Sequence, residues 1–142
     1  MNTDFAFICD YAEAGAKLNA LGIGFDTLYA RQVPFKHNHF SFVMQIRSTV
    51  VETGAKRLEV HIIDEDGKDI LPPIRGSFNV QMKENTTQAT GRIVVEFGNV
   101  EFKQYGTYSV RAAVEGIEMA SIDFRVVEPP TPSGKPGPSQ IV

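Results

Sequence analysis

What most limits the folds open to this chain is a period-two alternation of apolar and polar residues that recurs along most of its length. Phe40, Phe42, Met44 and Ile46 alternate with Ser41, Val43, Gln45 and Arg47. Leu58, Val60 and Ile62 alternate with Arg57, Glu59 and His61, and Ile93, Val95 and Phe97 with Val94, Glu96 and Gly98. Tyr108, Val110, Ala112 and Val114 repeat the pattern, as do Ile122, Phe124 and Val126, while Phe5, Phe7, Cys9 and Tyr11 share one side of a first strand. Successive side chains of a strand point to opposite faces, so each segment has one side to bury and one wetter side.

Turn chemistry separates these segments. Asp64-Glu65-Asp66-Gly67 and Glu115-Gly116 suit tight turns, because Gly, and to a lesser degree Asp, tolerate positive φ. The apolar parity shifts between Met119 and Ile122, which predicts a bulge in the last strand. Pro72-Pro73 lacks two backbone donors and marks a break or a sheet edge. Tyr11–Leu21 is rich in helix formers, yet it is short and contains Gly15, so a hairpin turn near Gly15 is favoured over a helical turn. Seven or eight short strands predict an all-β, antiparallel two-sheet sandwich. Gly106-Thr107-Tyr108 has the form of a loop leading into a strand through a Gly-x-Tyr step. Immunoglobulin-like sandwiches place a tyrosine there whose hydroxyl bonds back to the loop, which makes Tyr108 the structural corner residue.

From Pro129 onward the chain carries five of its eight prolines and little that is apolar. Such a segment buries too little surface to offset the cost of ordering, so the expectation is a sandwich domain over residues 1–128 and a disordered proline-rich tail over 129–142. Composition bears on partners. The formal net charge is -3, and Lys56-Arg57 is the one adjacent pair of cations. A duplex-binding surface needs clustered cations, so no nucleic acid is expected. No apolar run approaches the ~20 residues of a membrane span, no basic residue precedes Lys17 as a secretory leader would need, and Cys9 is the one cysteine. These features predict a cytoplasmic protein with no membrane association.

Cys9-Asp10-Tyr11-Ala12, the stretch Gly15–Asp26, and Ile63-Asp64-Glu65-Asp66-Gly67 together resemble a group of uncharacterised bacterial proteins. The resemblance covers most of Phe5–Val127. It implies an N-terminal hairpin followed by an immunoglobulin-like or C2-like sandwich. That group has no established activity, so the resemblance implies no functional residue.

Several clusters are candidates for chemistry. His37 and His39 put two imidazoles on one face of an extended segment, half a zinc site that a carboxylate or His61 would have to complete; no second spaced pair follows, so no metal is expected. Asp64, Glu65, Asp66 and Asp69 form an acidic turn, but calcium sites of C2-like sandwiches use two converging loops and only one is present. Cys9 lies among Phe7 and Tyr11, where a thiol is buried and inert rather than reactive. No nucleophile elbow, phosphate loop or dinucleotide fingerprint occurs, so neither an enzyme activity nor a cofactor is expected. Tyr29, Tyr105 and Phe35 are the aromatics available for stacking on a sugar. What remains is an interaction domain that binds an unknown protein partner through an edge strand or a loop end, with Phe35, Leu71 and Ile74 as the partner-binding residues. A small-ligand or carbohydrate-binding module, and a structural component of a phage or bacterial assembly, are the alternatives. The oligomeric state is not legible.

Overall fold

The computed structural model describes residues 1–131. All but the first three residues of the proline-rich segment therefore lie outside the described residues. Ten strands follow one another: β1 (Asn2–Cys9), β2 (Tyr11–Ala14), β3 (Leu18–Leu21), β4 (Thr27–Tyr29), β5 (Phe35–Thr49), β6 (Gly54–Ile63), β7 (Ile74–Val80), β8 (Gln88–Phe102), β9 (Gly106–Val114) and β10 (Ile117–Val127). A three-residue 3-10 turn, Val50–Glu52, is the one helical element among the described residues. The protein is all-β, as the alternation predicts. The strands are more numerous and in part much longer than the seven or eight short ones expected.

They form a three-stranded sheet in the order β1-β5-β8, a five-stranded sheet in the order β4-β10-β9-β6-β7, and the separate hairpin β2-β3. Every pairing but one is antiparallel. β4 runs parallel to β10, with Thr27 opposite Arg125 and Tyr29 opposite Val127. Three residues cannot announce such a strand in the sequence, because no alternation develops over so short a span.

β5 and β8 keep one register from Phe35 opposite Phe102 to Thr49 opposite Gln88, with Asn38 and Asn99 left out of the ladder. At a rise of ~3.3 Å per residue this two-stranded ribbon is about 50 Å long. Neither segment contains proline, whose missing N–H would interrupt donation to the ladder. The expected bulge is present in β10, where the register shifts between Glu118 and Ala120. Glu115-Gly116 closes the β9–β10 hairpin with both residues at positive φ, the conformation that a two-residue turn between right-twisted strands demands.

One apolar cluster draws on both larger sheets. Phe40, Phe42, Met44 and Ile46 enter it from β5, Val60 and Ile62 from β6, Val110 and Ala112 from β9, Phe124 and Val126 from β10. Its aromatic members touch across the sheets: Phe102 lies 4.9 Å from Tyr108 and 5.7 Å from Phe124, both edge to face. Such pairs stabilise by ~0.5–1.5 kcal/mol beyond the area they bury.

β1 departs from its expected orientation. Ala6 and Ile8 stand opposite Met44 and Phe42 and face this cluster, while Phe5, Phe7 and Cys9 lie on the other parity. That outer face is not left to water. The β2–β3 hairpin folds over it, and Cys9, Ala12 and Val43 become a second buried cluster against Phe7, Leu18, Ala20 and Val94. Turning back requires Gly22, which has φ +67° and no room for a Cβ beside the Asp10 carboxylate.

Candidate functional site

The histidines do not converge. His37 packs among Phe25, Phe35 and Phe40 at ring distances of 6.0–6.4 Å. Among the described residues its buried Nε2 has no hydrogen-bond partner, and burial depresses its pKa. His39 shares its parity but looks elsewhere, with Nδ1 2.9 Å from the Asp10 carbonyl oxygen. His61 is on β6 in the other sheet, held between Asp69 (Nδ1, 2.6 Å) and Glu59 (Nε2, 2.5 Å). Its pKa is raised, chiefly by the hydrogen bond to Asp69. With both ring nitrogens taken by carboxylates it offers no lone pair to a metal. Among the described residues no group of three or more His, Cys, Asp or Glu is placed to hold a metal ion.

The acidic turn is built into the fold. Asp64 accepts from the backbone N–H groups of Asp66 and Lys68, and Glu65 accepts from that of Thr107 at 2.7 Å. Two of its carboxylates are thus spent on backbone donors. Cys9 is fully buried, and burial raises its thiol pKa, the opposite of what a nucleophile needs. Tyr105 donates to the Ala30 carbonyl oxygen at 2.8 Å, whereas the Tyr29 ring on β4 is exposed. Tyr108 is buried, and its hydroxyl donates to the Gln104 carbonyl oxygen at 2.6 Å, tying the start of β9 to the loop before it.

Phe35, Leu71 and Ile74 are each half-buried against the main cluster. Ile74 opens β7, at the margin of the five-stranded sheet, while Phe35 opens β5 in the three-stranded sheet and stacks on Phe102 at 6.4 Å. The three do not share one sheet.

A further open sheet edge lies at a place the sequence reading passed over. β8 is the end strand of the three-stranded sheet, paired on one side by β5 and, among the described residues, by no strand on the other. In an antiparallel ladder alternate residues aim N–H and C=O away from the partner, so this free side is a row of unsatisfied donors and acceptors. Ile93, Val94 and Val95, in its middle, are all half-buried. Three consecutive β-branched residues are the signal that was available: they break the alternation and suit a strand wanted on both faces.

The outer surface around this edge is held by a polar network. Asp4 accepts from Gln45 at 3.0 Å and from Arg47 at 3.1 Å, and these contacts, Gln45 first, lower its pKa. Arg92 on β8 donates through Nε to Gln45 at 3.0 Å and through Nη1 to the Ala16 carbonyl oxygen at 3.3 Å. One chain of contacts therefore joins β1, β5, β8 and the hairpin turn.

These features define an all-β protein with open sheet margins, most of whose singled-out polar side chains are engaged within its own fold. The chain belongs to a family of unknown function (DUF6941), whose model matches residues 4–127. No curated protein matches it. Among solved structures it is similar to the Pseudomonas fluorescens alkylpurine DNA glycosylase AlkC bound to DNA containing an abasic site analog. The identity is 12%, the TM-score 0.42, and the match covers 72% of this chain and 28% of that one. A likeness of this size carries no argument about what this chain does.

The exclusion of nucleic acid, drawn from composition alone, is withdrawn on its own terms, beside a solved neighbour that is itself bound to DNA. The physical reason is that dispersal in sequence is not dispersal in space. Antiparallel pairing brings Arg57 and Arg75 to line one cleft of about 370 Å³, together with Glu59 and Glu115. Among the described residues no helix is long and apolar enough to cross a membrane, which says nothing of strands.

Proposed function

We propose that this chain is a non-catalytic, immunoglobulin-like or C2-like sandwich domain that binds a protein partner in extended form along an open sheet edge. The observation that carries this reading is the position of β8: fifteen residues long, at the end of the strand order, with Ile93-Val94-Val95 half-buried at its centre. Strand addition supplies main-chain hydrogen bonds for affinity, and alternate side chains supply selectivity. The apolar margin at Leu71 and Ile74, with Phe35 in the other sheet, is the loop-end version of the same reading.

Hydrogen exchange tests it. A partner purified from the native host should slow exchange at alternate amides between Gln88 and Phe97, and Thr90→Lys, at an exposed position of β8, should weaken that partner while circular dichroism stays unchanged. Protection confined to the Leu71–Ile74 margin would move the site there. Protection at neither margin would remove the reading.

A further inference from the structure

Four strands end the two larger sheets, and three of them carry a device that discourages pairing. β4 has three residues. β7 follows directly on Pro72-Pro73. β1 is interrupted by a register shift between Thr3 and Phe5. β8 has no proline in its fifteen residues, and from Gln88 to Gly98 its charges are one of each sign, Arg92 and Glu96. Its one local distortion is Asn99, at φ 51°, so the stretch from Gln88 to Gly98 is regular. An edge this long and this apolar is one that proteins keep covered.

Pairing of such a strand with its own copy is narrowly restricted. Directly opposed residues must point to the same face, so a two-fold axis through the junction has to pass through a residue facing itself. With Val94 on the axis, Ile93 faces Val95, and Arg92 of each copy faces Glu96 of the other. With Ile93 on the axis Arg92 meets Val94 and Glu96 meets Thr90. With Val95 there, Glu96 meets Val94 and Arg92 meets Gly98. Only the first register joins the two charges.

Both are exposed on the same parity, and among the described residues neither has an ion-pair partner. Arg92 bonds only to the neutral oxygens of Gln45 and Ala16, and its Nη2 makes none of these bonds. We infer that β8 pairs antiparallel with β8 of a second copy of this chain, with Val94 on the two-fold axis and crossed Arg92–Glu96 pairs on either side, which joins two three-stranded sheets into one of six. This names the partner for the edge reading above and rests on it.

Sedimentation velocity on the full chain, from micromolar to millimolar concentration, tests the inference. Wild type should show a concentration-dependent doubling of sedimenting mass. Arg92→Glu sets Glu against Glu at both crossings, and Glu96→Arg sets Arg against Arg, so each variant alone should sediment as monomer while remaining folded by circular dichroism. An equimolar mixture restores an opposite pair at both crossings and should dimerise. A wild type that stays monomeric at every concentration overturns the inference, as do single variants that dimerise as well as wild type or a mixture that stays monomeric. If wild type is monomeric yet its β8 amides are protected by a different protein, the second-copy inference falls and the edge reading stands. If no β8 protection arises under either condition, both fall.

Discussion

His61 and His37 respond to pH with opposite sign, because one is held charged and the other is kept neutral. Only an imidazolium has a hydrogen on each nitrogen, and both His61 nitrogens lie against carboxylates, so the fold raises its pKa above the ordinary 6.5. Its contribution to stability is complete below 6.5 and is lost as pH rises through the raised folded value. His37 is depressed by burial, so the unfolded chain takes up its proton first, and stability is lost as pH falls below 6.5 toward the folded value. Urea midpoints followed between about pH 5 and 8 should separate the two. His61→Asn should remove the decline on the alkaline side and His37→Phe the decline on the acid side. The phenylalanine also takes the place of a buried nitrogen without a partner, so a gain of about 1 kcal/mol is expected at low pH; a loss of that size would mean that Nε2 is satisfied. At Tyr108 only the hydroxyl is at issue, since the ring packs 4.9 Å from Phe102 whether or not it carries oxygen. Tyr108→Phe leaves the Gln104 carbonyl without this donor and should cost ~1–2 kcal/mol by urea titration, whereas a neutral result would show that the bond adds nothing to the corner.

Among the elements, the β2–β3 hairpin has the smallest core of its own. Its inward residues are chiefly alanines, which bring the backbone close to the sheet, and Leu18 supplies most of its apolar bulk. The main cluster lies on the opposite face of β5 and includes Phe40, Phe42, Met44 and Ile46. The two faces should therefore open at different cost, as separate cooperative units do. Ala12→Glu places a carboxylate where Ala12 is 3% exposed. Amides of residues 11–21 should then exchange much faster while those of β9 keep their wild-type protection. Equal loss of protection in β9 would show that the hairpin and the main core form a single unit. The same hairpin explains why β1 is apolar on both parities: Ile8 belongs to one cluster and Cys9 to the other.

At the scale of the whole molecule, the contacts that close the fold are remote in sequence. The Thr3 hydroxyl donates to the carbonyl oxygen of Met119, 116 residues away, and β1 joins a strand that begins at Phe35. Chains dominated by such contacts pay for loop closure before they gain packing, and all-β domains of this kind fold in milliseconds to seconds. Stopped-flow refolding of the described domain should show its main phase in that range, and a microsecond main phase would mean that local hairpins carry the transition state. Much of this fold was legible in the sequence. Period-two alternation fixed the strand identity of β5, β6, β9 and β10, the Met119–Ile122 parity shift located the bulge, and Glu115-Gly116 located a turn, because each is a local steric preference written in neighbouring residues. The apolar alternation begins only at Phe40, yet pairing of Phe35–His37 with Val100–Phe102 extends the long central strand back to Phe35. Which parity of β1 meets the main core, that β4 adds to its sheet in parallel, and that β8 is left at an edge depend on which strands become neighbours. Neighbours are chosen by packing between residues tens of positions apart. Local alternation states that a face will be buried, and only the assembled sheets decide what buries it and which edge stays open.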